Sequence, residues 1–215
     1  MSPASNDILS QKERQALTAK NAVLRRRAAI TQALRRYFIE KDYLEVETPC
    51  LIPAPAPELH INAVRAEEGF LHTSPELCMK RLLAAGYPKI FQICKCFRQG
   101  ERGARHLPEF TLLEWYRAHT GYLELMDECE DLVAFVLEDL GLPPVLEFQG
   151  KTLDLQRPWP RLTVQEAFER YALTPLEQAL AGGRFDEIVA LDMEPSLGFP
   201  QPVFLHQYPS ALAAL

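Results

Sequence analysis

The chain has 215 residues, 47% apolar and 24% charged, ordinary values for a soluble globular protein with one sizeable core. Its net charge of −6 argues against a protein that coats nucleic acid, whose non-specific binding rests on an excess of Lys and Arg. No apolar run approaches the ~20 residues of a membrane span, the polar start "MSPASNDILSQKERQ" lacks a signal-peptide core, and five cysteines without disulfide spacing point to a reduced, cytoplasmic chain.

Residues 1–20 read as a flexible N-terminal arm and residues 21–215 as one domain. From Asn21, Val23, Ile30, Leu34, Tyr37 and Phe38 recur at helical spacing and predict a helix over 21–41. Its basic run "LRRRAAITQALRR" falls on the same pattern and reads as a solvated helix face. "DYLEVETPCL" is a turn and a short strand stopped by Pro49, and "IPAPAPE" is extended loop. "LHINAVRA" and "GFLHTS" form a strand pair around "EEG". "SPELCMKRLLAAG" is a helix capped by Ser74, with Pro75 at its first position and Gly86 at its end. "KIFQICKCFR" and "EFTLLEWYRAH" are the two best strands. Leu125, Leu132, Val133 and Val136 predict an amphipathic helix, and "VLEFQGKTLDL" a hairpin turning at Gln149–Gly150. Thr163 caps a further helix, residues 174–198 read as peripheral helix, and "PVFLHQYP" as a last strand. Strands without regular βα alternation predict an α+β fold with an antiparallel sheet packed by helices.

Alternation sorts the two best strands into faces. Gln92, Cys94, Cys96 and Arg98 share a face with Phe110, Leu112, Glu114 and Tyr116 if the strands pair as a hairpin. A cation, an anion and an aromatic ring on one face suit a zwitterionic, nucleotide-linked ligand, and equally an ordinary solvated sheet face. The connection over 99–109 spans 11 residues, against about 2–5 for a typical hairpin loop. It carries Glu101, Arg102, Arg105 and His106. Arginine's planar fork fits phosphate oxygens, so the loop is either a polyphosphate clamp or a charged surface loop. The common nucleotide motifs G-x-G-x-x-G and G-x-x-x-x-G-K-(S/T) are absent. Cys94-x-Cys96 has no second pair and reads as buried thiols, with no metal ligand identified. His60 and His72 lie in strand-like segments and read as surface or core residues.

"FRQGERGARHLPEF" resembles motif 2 of the class II aminoacyl-tRNA synthetases, above all the lysyl branch. "DYLEVETPCL" resembles motif 1, and "TSPELCMKRLLAAG" the segment that begins the substrate pocket. The matches are collinear over about 22–116, with weaker similarity in "RLTVQEAF" and "VFLHQYPSALAAL". Within the branch, the chain is similar to the elongation factor P–(R)-β-lysine ligase family, paralogues without the anticodon-binding domain. The motif 1 helix starts near residue 21, "FTLLEWYR" carries that family's Trp-Tyr-Arg ending, and "FLHQYPSALAAL" is similar to its proline-containing stretch.

The resemblance implies an enzyme that activates lysine or (R)-β-lysine with ATP and Mg²⁺ and passes it to a lysine side chain of elongation factor P. Lysyl transfer to tRNA and a non-catalytic, synthetase-derived binding module are the alternatives. Arg98 matches the arginine on the α-phosphate. Arg105 and His106 match the loop near the β- and γ-phosphates, Phe110 the ring on adenine, and Glu101 a carboxylate for adenine. Ser74, Glu76, Glu114 and Tyr116 match the amino acid pocket. A homodimer through motif 1 is implied as well. Three departures stand out. Gly100 occupies the usual glutamate position, Leu107 replaces an asparagine, and neither E-L-A-N-G-F nor motif 3 occurs. The last departure leads us to expect a domain incomplete at its C-terminus, holding motifs 1 and 2 and inactive by itself.

Overall fold

The computed structural model describes residues 10–58 and 61–212; His60 falls outside them. Helix α1 (Gln11–Ala19) lies in the stretch expected as an arm. Ser10 caps it through a reciprocal pair with Glu13, and none of its residues is buried. Helix α2 (Asn21–Glu40) follows. Ala33, Tyr37 and Phe38 in its second half are buried, whereas Val23, Leu24 and Ile30 are 69%, 55% and 36% exposed. The expected apolar stripe is therefore covered over only half its length.

A turn at Asp42, with φ of +61°, leads to β1 (Leu44–Glu45). β2 (Leu51–Ile52), β3 (Val64–Ala66) and β4 (Gly69–Leu71) form a small antiparallel sheet in the order β2-β4-β3. Gly69 is needed there, because a Cβ would lie 2.5 Å from the Ile52 carbonyl oxygen. Helix α3 (Glu76–Ala84) begins one residue later than expected, with Pro75 as the flanking residue rather than the first helical one.

β5 (Lys89–Phe97) and β6 (Glu109–Arg117) pair antiparallel over their full length, from Lys89↔Arg117 to Phe97↔Glu109. β1 joins the other edge of β5 in parallel, a departure from the purely antiparallel expectation. The long connection through β2–β4 and α3 makes that parallel pairing feasible. Helix α4 (Tyr122–Asp139) packs with α2 behind the hairpin. Phe38 stacks on Phe91 at 4.8 Å and meets Tyr43 and Trp115 at 5.1 and 5.5 Å. Leu132 completes this core, but Leu125 is exposed and two glutamates of α4, Glu128 and Glu130, are buried. Each has partners. Tyr43 donates to Glu128 at 2.7 Å, and the Trp159 amide donates to Glu130 at 2.9 Å.

β7 (Val145–Phe148) and β8 (Lys151–Asp154) form the expected hairpin, with φ of +51° at Gln149 and +74° at Gly150. Both central residues thus take the left-handed conformation that a tight two-residue hairpin turn requires. β9 (Arg161–Thr163) leads into α5 (Val164–Tyr171), α6 (Leu176–Ala181) and α7 (Phe185–Ile188), and β10 (Phe204–His206) pairs in parallel with β9. The stretch 174–198 is not peripheral as the sequence suggested. Leu176, Ala179, Phe185, Ile188 and Met193 join Val164, Ala167 and Phe168 in a second buried core. The helices are too short to show a periodicity, so their inward residues become visible only after folding.

Thr163 and Glu166 form a capping box: the Thr163 hydroxyl accepts from the Glu166 amide, and the Glu166 carboxylate accepts from the Thr163 amide. Thr163→Ala is expected to lower stability by about 1 kcal/mol in urea denaturation, with the slope unchanged.

Candidate functional site

The hairpin register decides what can meet. Phe91, Ile93, Leu113 and Trp115 face the helices, so the other face gathers Gln92↔Glu114, Cys94↔Leu112, Cys96↔Phe110 and Ile90↔Tyr116. The expected face therefore exists, with Arg98 just beyond β5.

Glu114 is the centre of the first cluster. Ser74 donates its hydroxyl to one carboxylate oxygen at 2.6 Å, and Tyr116 donates to the other at 2.7 Å. Burial first, and then the bond to Glu114, push the Tyr116 hydroxyl upward, so it stays a donor at neutral pH. Ser74 also accepts from the Glu76 amide at 3.0 Å, which ties the start of α3 to Glu114. The Glu76 carboxylate is engaged by Lys80 one turn along the helix.

Arg98 is the centre of the second. Its amide continues the hairpin by donating to the Pro108 carbonyl at 2.9 Å. Its guanidinium stands 5.0 Å from the Phe110 ring centre, 3.9 Å from Glu101 and 3.5 Å from the Thr73 carbonyl oxygen. The side chain is half-buried, so one edge of the fork is held while the rest remains available to a ligand. Gly100 has φ of +78° with open space where a Cβ would be. Glycine adopts that backbone freely and a glutamate would be strained there. The turn instead brings Glu101 back to Arg98.

The loop is anchored where the Gln99 amide donates to the Asn62 carbonyl at 2.7 Å, and it turns on itself where the Gly103 amide donates to the His106 carbonyl at 3.1 Å. Arg102, Arg105, His106 and Leu107 are exposed. Arg105 lines a cleft of about 820 Å³ with the β7–β8 hairpin and the segment before β10. Among the described residues, neither the Arg105 nor the His106 side chain makes a hydrogen bond or ion pair. Ser74, Glu76, Glu114 and Tyr116 are thus brought together, as are Arg98, Glu101 and Phe110, with Thr73–Ser74 as the backbone link. Arg105 and His106 remain apart on the loop.

Sequence reasoning passes over Thr73, which acts through a carbonyl that any residue has. Gln92 is buried and accepts from the Thr48 amide at 3.2 Å, fixing the segment after β1. On the same face, the contact between Cys94 and Cys96 pushes the Cys94 thiol below its ordinary range and Cys96 above it.

The hairpin thus sets Arg98 against Phe110 and, on the same face, Glu114 between Ser74 and Tyr116. Residues 12–215 match the family of class II tRNA synthetases (D, K and N), and the chain belongs to that family. Its curated relatives include elongation factor P–(R)-β-lysine ligases. The one from Pseudoalteromonas translucida (strain TAC 125) is 33% identical over 92% of this chain and 66% of its own length. Those from Enterobacter sp. (strain 638) and Erwinia tasmaniensis are each 34% identical, over 89% and 92% of this chain and 64% and 66% of their own lengths. The chain therefore spans just under two thirds of the relatives it matches.

Proposed function

We propose that this chain carries the activating site of an ATP-dependent ligase that adenylates lysine or (R)-β-lysine and transfers it to a lysine side chain of elongation factor P. The observation that carries the reading is Glu114, a carboxylate braced on both oxygens and standing on the face that also holds Arg98 and Phe110. The names of the relatives supply the amino acid and the acceptor.

Each residue has a role in this reading. Glu114 and Glu76 bind the ammonium groups of the amino acid, and Ser74 and Tyr116 hold Glu114 in place. Phe110 receives the adenine ring, with Glu101 at its edge. Arg98 binds the α-phosphate and stabilises the charge that grows as the amino acid carboxylate attacks phosphorus and pyrophosphate leaves. Arg105 and His106 reach the β- and γ-phosphates from the loop. Mg²⁺ fits this arrangement as a companion of the nucleotide. In this reading Glu76 and Glu114 serve the ammonium groups and Glu101 pairs with Arg98, so phosphate oxygens and water would supply its ligands. The chemistry it supplies when bound is neutralisation of phosphate charge. The test is ATP–pyrophosphate exchange by the full-length protein with lysine and with (R)-β-lysine. Exchange with one of them is expected, and a folded protein that exchanges with neither refutes the reading.

The exposed half of α2 supports a homodimer. Val23, Ile30 and Leu34 line an apolar groove of about 610 Å³ with Ile93 and Leu113. A second copy of α2 would cover it. Ile30→Asp should convert the dimer to monomer in sedimentation equilibrium, and an unchanged mass would exclude this surface. No helix among the described residues is long and apolar enough to cross a membrane. All five cysteines are free, which supports a reducing, cytoplasmic setting.

A further inference from the structure

Cys94 and Cys96 lie on the ligand face of β5 with their sulfurs 3.8 Å apart. The sequence offers only this pair, which reads as buried thiols, but the fold adds a third donor. His72 comes from the segment between β4 and α3 and is 1% exposed. Its amide donates to the Cys50 carbonyl at 2.9 Å, and its own carbonyl accepts from the Phe97 amide at 3.0 Å. Nε2 lies 2.6 Å from the Lys95 carbonyl oxygen, which can only accept. Nε2 therefore carries a proton, and in the neutral ring Nδ1 presents a lone pair. Nδ1 is buried, faces the Cys94 thiol and makes no well-formed hydrogen bond. The ligand atoms of His72, Cys94 and Cys96 all lie within 4.8 Å of one another.

We propose that His72, Cys94 and Cys96 form a buried site for one thiophilic divalent cation, zinc by its chemistry. Zinc–sulfur bonds of about 2.3 Å at tetrahedral angles put two bound sulfurs about 3.8 Å apart, the spacing found here. A disulfide fits less well, since residues two apart on a strand have Cα atoms about 6.8 Å apart, at the outer limit for that bond. A histidine that donates its other ring N–H to a backbone carbonyl is the arrangement of a metal-bound imidazole. A buried nitrogen without a well-formed hydrogen bond is costly, and a cation on its lone pair removes that cost. Both sulfurs bind as thiolates, binding releases whatever protons they still carry, and the bound site is formally neutral. A fourth position remains for water. The ion pins residues 72–74 to β5, and this segment carries the Thr73 carbonyl beside Arg98 and the Ser74 hydroxyl on Glu114. The site supports the pocket wall and stands whether or not the ligase reading holds.

The test uses full-length, reduced protein and Co²⁺ as a spectroscopic probe. A thiolate-to-cobalt charge-transfer band should saturate near one equivalent and be displaced by Zn²⁺. Cys94→Ser and Cys96→Ser should each remove about half of its intensity, and His72→Gln should weaken binding at least about tenfold. Cys50→Ser should leave the band unchanged. Alkylation mapped by mass spectrometry needs no variant: Zn²⁺ should protect Cys94 and leave the exposed Cys50 reactive. No band in folded wild-type protein, a band indifferent to both cysteine variants, or equal labelling of Cys94 with and without Zn²⁺ overturns the proposal.

Discussion

Arg98→Ala in the full-length protein should reduce amino acid-dependent ATP–pyrophosphate exchange at least about 100-fold, with the fold intact. Arg98 stands at the end of β5, held by the Phe110 ring, by Glu101 and by the Thr73 carbonyl, with part of the guanidinium still accessible. A group held this way loses little freedom when it meets the phosphate, and its charge is in place before the transition state forms. Removing it deletes a contact that strengthens as negative charge grows on the phosphoryl oxygens, so kcat should fall more than the KM for ATP rises. Arg98→Lys should recover little, because an ammonium keeps the charge but lacks the planar fork that the aromatic ring and the carboxylate hold. Because the side chain is half-buried and outside both cores, thermal stability should change little. Full exchange by Arg98→Ala would remove Arg98 from the mechanism.

Glu114→Gln should raise the KM for the amino acid roughly 10- to 100-fold, the range of a lost charge-assisted hydrogen bond, and leave the KM for ATP near its wild-type value. The substitution preserves shape. The glutamine carbonyl can accept from one neighbour, and the Tyr116 or Ser74 hydroxyl can rotate to accept from its amide. What is lost is the negative charge toward the substrate's ammonium. Tyr116→Phe should have a smaller effect in the same direction, because it removes one brace and leaves the carboxylate charged. Equal rises in KM for amino acid and ATP would mean a general disturbance of the sheet, not loss of an ammonium site. No change would place the amino acid elsewhere.

The hairpin was legible because its logic is local. Alternation from Lys89 to Phe97 and from Glu109 to Arg117 assigns faces before any partner is known, and antiparallel pairing then puts Glu114 and Tyr116 where the face argument expects them. The Gln149–Gly150 turn and the Thr163 cap are local in the same way. Interactions that depend on distant residues were hidden. The burial of Glu128 and Glu130 depends on Tyr43 and Trp159, which supply donors from other parts of the chain. The pairing of β9 with β10 and the core built by α5, α6 and α7 need contacts that three- to eight-residue segments cannot announce. Gly100 looked like a missing carboxylate in the linear sequence. Its φ of +78° makes it the hinge that delivers Glu101 to Arg98. The approach of His72 to Cys94 and Cys96 was out of reach, because the segment after β4 is held by backbone hydrogen bonds to Cys50 and Phe97 that carry no sequence signal.

The account rests on activation of a lysine-type amino acid and its delivery to a protein. The direct measurement is to incubate full-length protein with ATP, Mg²⁺ and isotopically labelled (R)-β-lysine or lysine, offer purified elongation factor P and lysine tRNA in the same reaction, and locate the label by mass spectrometry. Label is expected on one lysine side chain of elongation factor P, dependent on ATP and lost with Arg98→Ala. Label on the tRNA, or on neither acceptor while the protein remains folded, would contradict the account.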